Sequence, residues 1–176
     1  TAHFEEKFFF TDSTVFDVFS FHLVEGDART ALTDPYTLTL TETAALRYFG
    51  RSAGVVGELL QVDESMTFKV TGVIEDIPDF SHFKFDFLAS AATLPLHPQE
   101  AVRTYQLTGW YAHYFYNYLL LEEHADPKVV GRNIVDAHKY HSDPEQYKLY
   151  GTSMGLFLQP LTDIHLNPLY GEMEPQ

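Results

Sequence analysis

Histidine, a residue type that can do acid–base and metal chemistry, occurs nine times here, whereas cysteine does not occur at all. The lack of cysteine removes disulfides, thiolate metal ligands and cysteine nucleophiles, and leaves the compartment open. His138 and His141 are three apart on a predicted helix, so they share a face and could offer two nitrogens to a metal. A metal-dependent hydrolase would need a third ligand converging on the same ion, at about 2.0–2.2 Å. The HExxH pattern is absent and no carboxylate stands in that role, so solvent-facing histidines at a helix C-terminus are expected. Asp79, Ser81 and His82 are the residue types of a hydrolytic triad. Adjacent residues on an extended segment point to opposite faces, however, and no G-x-S-x-G elbow is present. Ser81 is expected instead to satisfy backbone groups at a corner. Asp163 and His165, two apart on a predicted strand, read as a structural polar pair. Neither GxxxxGK[ST] nor GxGxxG occurs, so no phosphate cradle is expected. No catalytic residue, metal or cofactor is therefore assigned. The densest aromatic cluster contains Trp110, Tyr111, Tyr114 and Tyr116, with Phe115 and Tyr118. It is a candidate surface for a small apolar or sugar ligand, or for a partner, although on an alternating strand half of these rings would fill a core.

Composition bounds the alternatives. The chain of 176 residues is 45% hydrophobic, enough for one domain or two small lobes with a packed core. Its formal charge of −14 argues against nucleic acid, which needs a basic footprint. A strongly solvated surface explains that charge, as would an acidic patch drawing in a cationic ligand. The apolar run Tyr118–Leu121 is far short of the roughly 20 residues needed to cross a bilayer. The sequence opens on Thr1 and closes on a polar tail, Tyr170–Gln176, as a piece excised from something longer would.

The elements that must position these residues are organised around Thr67–Leu88. Phe68, Val70 and Gly72 alternate with Lys69, Thr71 and Val73, a strand signal. Pro78 breaks that strand, and alternation resumes with Phe83, Phe85 and Phe87 on one face. Upstream, strands are predicted at Phe4–Phe10 and Tyr36–Thr41, with a short helical stretch over Thr14–Phe19. Thr41 is placed to cap a helix over Glu42–Phe49, with Gly50 as its stop and Ala45, Leu46 and Phe49 as its buried stripe. Glu58–Val62 and Met66–Ile74 form a predicted hairpin. Downstream, Ala89–Gln99 reads as irregular, Glu100–Leu107 as a short helix, and Tyr114–Leu121 and Gly155–Leu161 as strands. Asp126-Pro127 opens the clearest helix, with Val129, Val130, Ile134 and Ala137 on one face, and a second helical piece covers Asp143–Tyr150.

Taken together, four runs resemble a known family. Thr11–Leu32 resembles the first signature of FtsX-like ABC transporter permeases, specifically of their MacB-like periplasmic core domain in its Bacteroidetes-type form. Leu38–Gly50, Phe68–Ser90 and Leu158–Pro168 resemble three further signatures in the same order. Val55, Glu58 and Phe80 depart from the family's usual proline, lysine and asparagine. The resemblance implies an α+β fold of two small lobes, with mixed or antiparallel sheets and a few short helices. A sabre-like lobe would cover residues 1–78, a porter-like lobe 79–168, and a tail to a membrane helix 169–176. It also implies that the family domain's early part, which contributes to the porter lobe, lies outside this chain. The resemblance further implies a non-catalytic domain on the periplasmic side of the inner membrane. Such a domain transmits ATP-driven motion to export or extraction. The implied partners are a cytoplasmic ABC ATPase reached through the full-length permease, a second permease copy or half, and a periplasmic protein. Asp76, Pro78, Ser81 and His82 then become candidates for a structural hinge or strut.

Overall fold

Strand β5, Met66–Ile74, is the longest strand among the described residues and pairs along both of its edges. In the computed structural model it runs parallel to β3 (Thr37–Thr41) on one edge. On the other edge it takes β4 (Leu59–Val62) beside its first half and β2 (Leu23–Gly26) beside its second, both antiparallel. β6 (Phe87–Ser90) lies antiparallel to β3, and β1 (Phe8–Thr11) closes the edge parallel to β6. The result is a mixed six-stranded sheet with β1-β6-β3-β5-β2 as its path. With its few short helices it is the α+β class expected. The structure describes residues 7–62, 64–78, 81–100, 102–103, 115–141, 144–146, 148 and 156–164. Among them, residues 7–103 belong to one compact unit and residues 115–164 to another.

Both faces of the sheet are covered. One face carries Leu38, Leu40, Phe68, Val70 and Phe87, over which helix α2 (Glu42–Phe49) lays Ala44 and Ala45. The other carries Ile74 and Leu88 under Val15, Ala31 and Leu32, Val15 belonging to the single-turn helix α1 (Val15–Val18). Each large side chain so buried contributes roughly 1.5–3 kcal/mol relative to exposure. β1 divides its phenylalanines by strand alternation: Phe8 and Phe10 join the first core and Phe9 the second. Every residue of β3 is buried, which explains its threonines: Thr37 donates to the Asp34 carbonyl at 2.6 Å, and Thr41 caps α2. Thr41 Oγ1 accepts from the Ala44 N–H at 3.2 Å, and Gly50 ends the helix at φ 69°, as the sequence predicts. The buried stripe differs from the expected one: Ala44 replaces Leu46, which is 59% exposed.

Simple alternation fails within β5. Val70 and Val73 pack in the same core, whereas Ile74 packs in the other. The β3 register explains it, stepping from Leu38↔Val70 to Thr39↔Gly72 and leaving Thr71 as an extra, bulged residue. The bulge reverses the parity of every later position, so Gly72 and Val73 exchange the faces predicted for them. Gly72 lies opposite Gly26. A Cβ on Gly26 would stand 2.4 Å from the Thr71 carbonyl oxygen, at φ +103°. The two strands approach this closely because neither carries a side chain there.

Phe83, Phe85 and Phe87 do not share a face. The strand begins only at Phe87, which enters the first core, while Phe83 and Phe85 belong to the second. Because β6 lies between β1 and β3, the described residues of the first unit run on through β6 to Arg103. Ala91–Leu96, expected to be irregular, is a 3₁₀ helix containing Pro95. Ser90 caps it by accepting from Ala92 N–H at 3.3 Å and donates its hydroxyl to the Leu32 carbonyl at 2.9 Å. Beyond it, Val102 N–H donates to the Gln99 carbonyl in a helical turn.

In the second unit, helix α3 (Pro127–His141) starts where predicted, with Asp126 Oδ1 accepting from Lys128 N–H at 2.9 Å. Its inward row is Val130, Ile134 and His138, while Val129 and Ala137 are exposed. The predicted strands at Tyr114–Leu121 and Gly155–Leu161 are absent over the described residues 115–121 and 156–161. Leu119 and Leu120 are exposed, so this alternation buries no face, and Leu161–Asp163 forms a 3₁₀ turn instead. Of the predicted Asp143–Tyr150 helix, Pro144–Gln146 is α-helical.

The close approach at Gly26 gives a direct test. Gly26 and Gly57 have similar positive φ, +103° and +97°, but the Cβ position at Gly57 is open. Gly57→Ala is expected to cost about 1–2 kcal/mol from backbone conformation alone. Gly26→Ala should cost a further 1–3 kcal/mol or so from overlap with Thr71. Urea denaturation of both variants measures the difference, and equal losses would remove the close approach as a constraint.

Candidate functional site

The connector between β5 and β6 holds the residues singled out at the predicted corner. It leaves β5 after Ile74, passes the end of β3 where α2 begins, and returns as β6 in the same sheet. A helix N-terminus leaves backbone N–H groups without intrahelical partners. Asp76 takes one of them: its carboxylate accepts from Thr43 N–H at 2.9 Å and from the Thr43 hydroxyl at 2.6 Å. A carboxylate there is also favoured by the helix dipole. At the other end of the connector, Asp86 accepts from Arg47 at 3.0 Å, and its carbonyl accepts from Thr41 N–H at 3.0 Å. The connector is thus clasped to α2 at both ends by carboxylates, while Ile77, Phe83 and Phe85 bury into the second core.

At the corner itself, the Pro78 carbonyl accepts from Ser81 N–H at 2.9 Å. Ser81 Oγ in turn accepts from Phe83 N–H at 3.1 Å, the backbone-satisfying role expected of it. His82 stacks edge-on against the Phe83 ring, with centroids 5.2 Å apart. Asp79 lies outside the described residues. The fastening role of Asp76 was visible in the sequence only as an acidic residue before a proline. Its partner, Thr43, is 33 positions away, and no local pattern points to it.

The other candidates are dispersed. Trp110, Tyr111 and Tyr114 lie outside the described residues, and Tyr116 is 57% exposed. Tyr118 is half-buried; burial, and then the neighbouring Tyr116, push its phenol above the ordinary range. His141 is exposed as expected, but His138 is turned inward and buried, because it continues the Val130–Ile134 row. Among the described residues no three metal-ligating side chains come together. Asp163 sits in a 3₁₀ turn rather than a strand, and His165, its expected partner, lies outside the described residues. No helix among the described residues is long and apolar enough to cross a membrane.

A second polar device stabilises the far end of the sheet. The loop Gly54–Val56 turns three N–H groups toward Glu25, whose carboxylate accepts from Gly54 at 2.8 Å and from Val55 and Val56 at 3.4 Å each. Arg51 pairs with Glu58 at 2.5 Å beside it. Both arrangements use charge to hold backbone in place.

A mixed sheet covered on both faces, with a carboxylate-fastened crossover, defines a structural module. The model of the MacB-like periplasmic core domain family matches residues 4–137, and the chain belongs to that family. Among solved structures it is similar to a domain described as part of a permease from Porphyromonas gingivalis. That match has a TM-score of 0.54 and 19% identity, and covers 89% of this chain and 69% of the other. The periplasmic region of MacB from Actinobacillus actinomycetemcomitans also matches, with a TM-score of 0.47 and 13% identity, over 81% of this chain and 64% of that one. Among curated proteins, none matches this sequence.

Removing the Asp76 carboxylate frees the Thr43 N–H and hydroxyl together. Asp76→Ala is expected to lower stability by about 1–2 kcal/mol. Arg29→Ala, which removes only the exposed ion pair with Asp27, should stay within roughly 0.5 kcal/mol of the parent. Parallel denaturant melts compare the two, and equal losses would mean that Asp76 fastens nothing.

Proposed function

We propose that this chain is the extracytoplasmic coupling domain of an FtsX-like ABC permease, held on the periplasmic side of the inner membrane. A separate cytoplasmic ATPase hydrolyses ATP, and the membrane helices carry the resulting motion to this domain, which passes it on to export or extraction of a substrate. The domain itself does no bond chemistry. A second permease copy or half, and a periplasmic protein, complete the assembly. The observation that carries this reading is family membership across residues 4–137. The clasped crossover supports it, because a part that transmits force must not yield internally. We assign the sabre-like role to the sheet unit and the porter-like role to the unit that begins at Thr104. Asp76, Pro78, Ser81 and His82 then act as a strut within the sheet unit.

The absence of cysteine makes topology easy to measure. Leu59 is 65% exposed, so Leu59→Cys in the full-length permease offers one accessible thiol within this chain. In cells with a permeabilised outer membrane, a membrane-impermeant maleimide is expected to label it. Labelling only after the inner membrane is broken would overturn the placement. Pro78→Ala combined with Ser81→Ala should weaken transport while ATP binding by the partner stays intact. Undiminished transport would remove the strut role.

A further inference from the structure

An open groove of about 500 Å³ runs along α3 in the second unit, facing Leu156, Phe157 and Leu158. On the helix side Gly131 and Val135, one turn apart, supply an apolar wall. Lys128, Arg132 and Asp136, also spaced four apart, form a charged rim.

Two features of this wall work against the helix. Glycine in a helix interior is weaker than alanine, yet among the described residues a Cβ at Gly131 would meet only Leu158 Cγ, at an ordinary 3.9 Å. Packing therefore does not demand glycine; what glycine does is keep the groove deep. Lys128 and Arg132 are like charges one turn apart, which repel, and neither forms an ion pair with a described residue. An anion between them would remove that repulsion.

The geometry points to a binding site for a small amphiphilic anion: a carboxylate, sulfonate or phosphate head on Lys128 and Arg132, with an apolar body against Gly131, Val135, Leu156 and Leu158. The volume lies within the range of about 300–1,000 Å³ typical of small-molecule sites. Orientation follows from the rim. Asp136 is one turn beyond Arg132 and two beyond Lys128, about 6 and 12 Å along the axis. The head group belongs at the N-terminal end, where the helix dipole is also positive, and the apolar body extends toward Val135. This acidic chain as a whole repels anions, so the two cations must act at short range and the affinity must fall with salt.

Calorimetric titration of the 176-residue chain with dodecanoate, kept below its micelle concentration, tests the site. Expected is saturable binding at one site, with dodecyltrimethylammonium at least about tenfold weaker. Lys128→Ala with Arg132→Ala should weaken dodecanoate by about tenfold or more, and Asp136→Asn should tighten it. Gly131→Leu, which fills the groove, should abolish binding, while Gly131→Ala leaves it largely intact; circular dichroism checks that both variants fold. Equal affinity for the two head groups, or binding unaffected by Gly131→Leu, would overturn the proposal. So would adsorption to phosphatidylglycerol vesicles without binding of monomeric dodecanoate, since that reports a surface and not a groove. The readout involves no transport, so its failure leaves the coupling role untouched.

Discussion

The sheet unit depends on one irregularity, the extra residue at Thr71 in β5. A regular strand has two faces that never exchange. β5 must instead bury Phe68, Val70 and Val73 in one core and Ile74 in the other, while holding partners on both edges. The bulge reconciles these demands by reversing parity after Val70. It also turns the Thr71 hydroxyl toward the Ala31 carbonyl, with the Leu38 carbonyl 3.0 Å away, tying the layer over the second face to the strand beneath it. The matching irregularity in β2, between Leu23 and Glu25, lets Gly26 meet Gly72. Without that pair of glycines β2 could not close on β5.

Where a signal is local, the sequence carries it well. Thr41, Glu42 and Gly50 define α2 because a cap, an acidic first turn and a left-handed stop act within one short segment. Asp126 and Pro127 define the start of α3 for the same reason. The bulge was not legible. TFKVTGVI reads as unbroken alternation, and nothing in it reveals that β3 will step past Thr71. Phe83, Phe85 and Phe87 misled in the same way: an alternating pattern shows that side chains can share a face, not that a partner strand will be there. Tyr114–Leu121 failed for want of that partner over its described residues, which leave Tyr116, Leu119 and Leu120 exposed.

The candidate site divides along similar lines. Ser81 does what serine near a proline corner is expected to do, because its acceptor role is satisfied two residues away. Asp76 and Asp86 become fasteners only when α2 starts between the two ends of the connector, a consequence of β3 lying between β5 and β6. The groove along α3 is a starker case. Lys128, Gly131 and Arg132 look like an ordinary helix surface until Leu156–Leu158 stands opposite them.

Stiffness and give must be separated in a part that transmits motion. In the sheet unit the burial of β3 on both faces and the two carboxylate clasps resist internal shear. The buried Thr39 hydroxyl is the exception, because it has no hydrogen-bond partner. It sits at the bulge, opposite Gly72, where Cγ2 already fills part of the space above the glycine. Leaving a hydroxyl unsatisfied costs stability. The unit tolerates this cost beside the bulge and keeps every other described buried side-chain polar atom bonded. Under the coupling role, a sheet so fastened moves as one piece, and deformation has to be taken up outside β1 to β6.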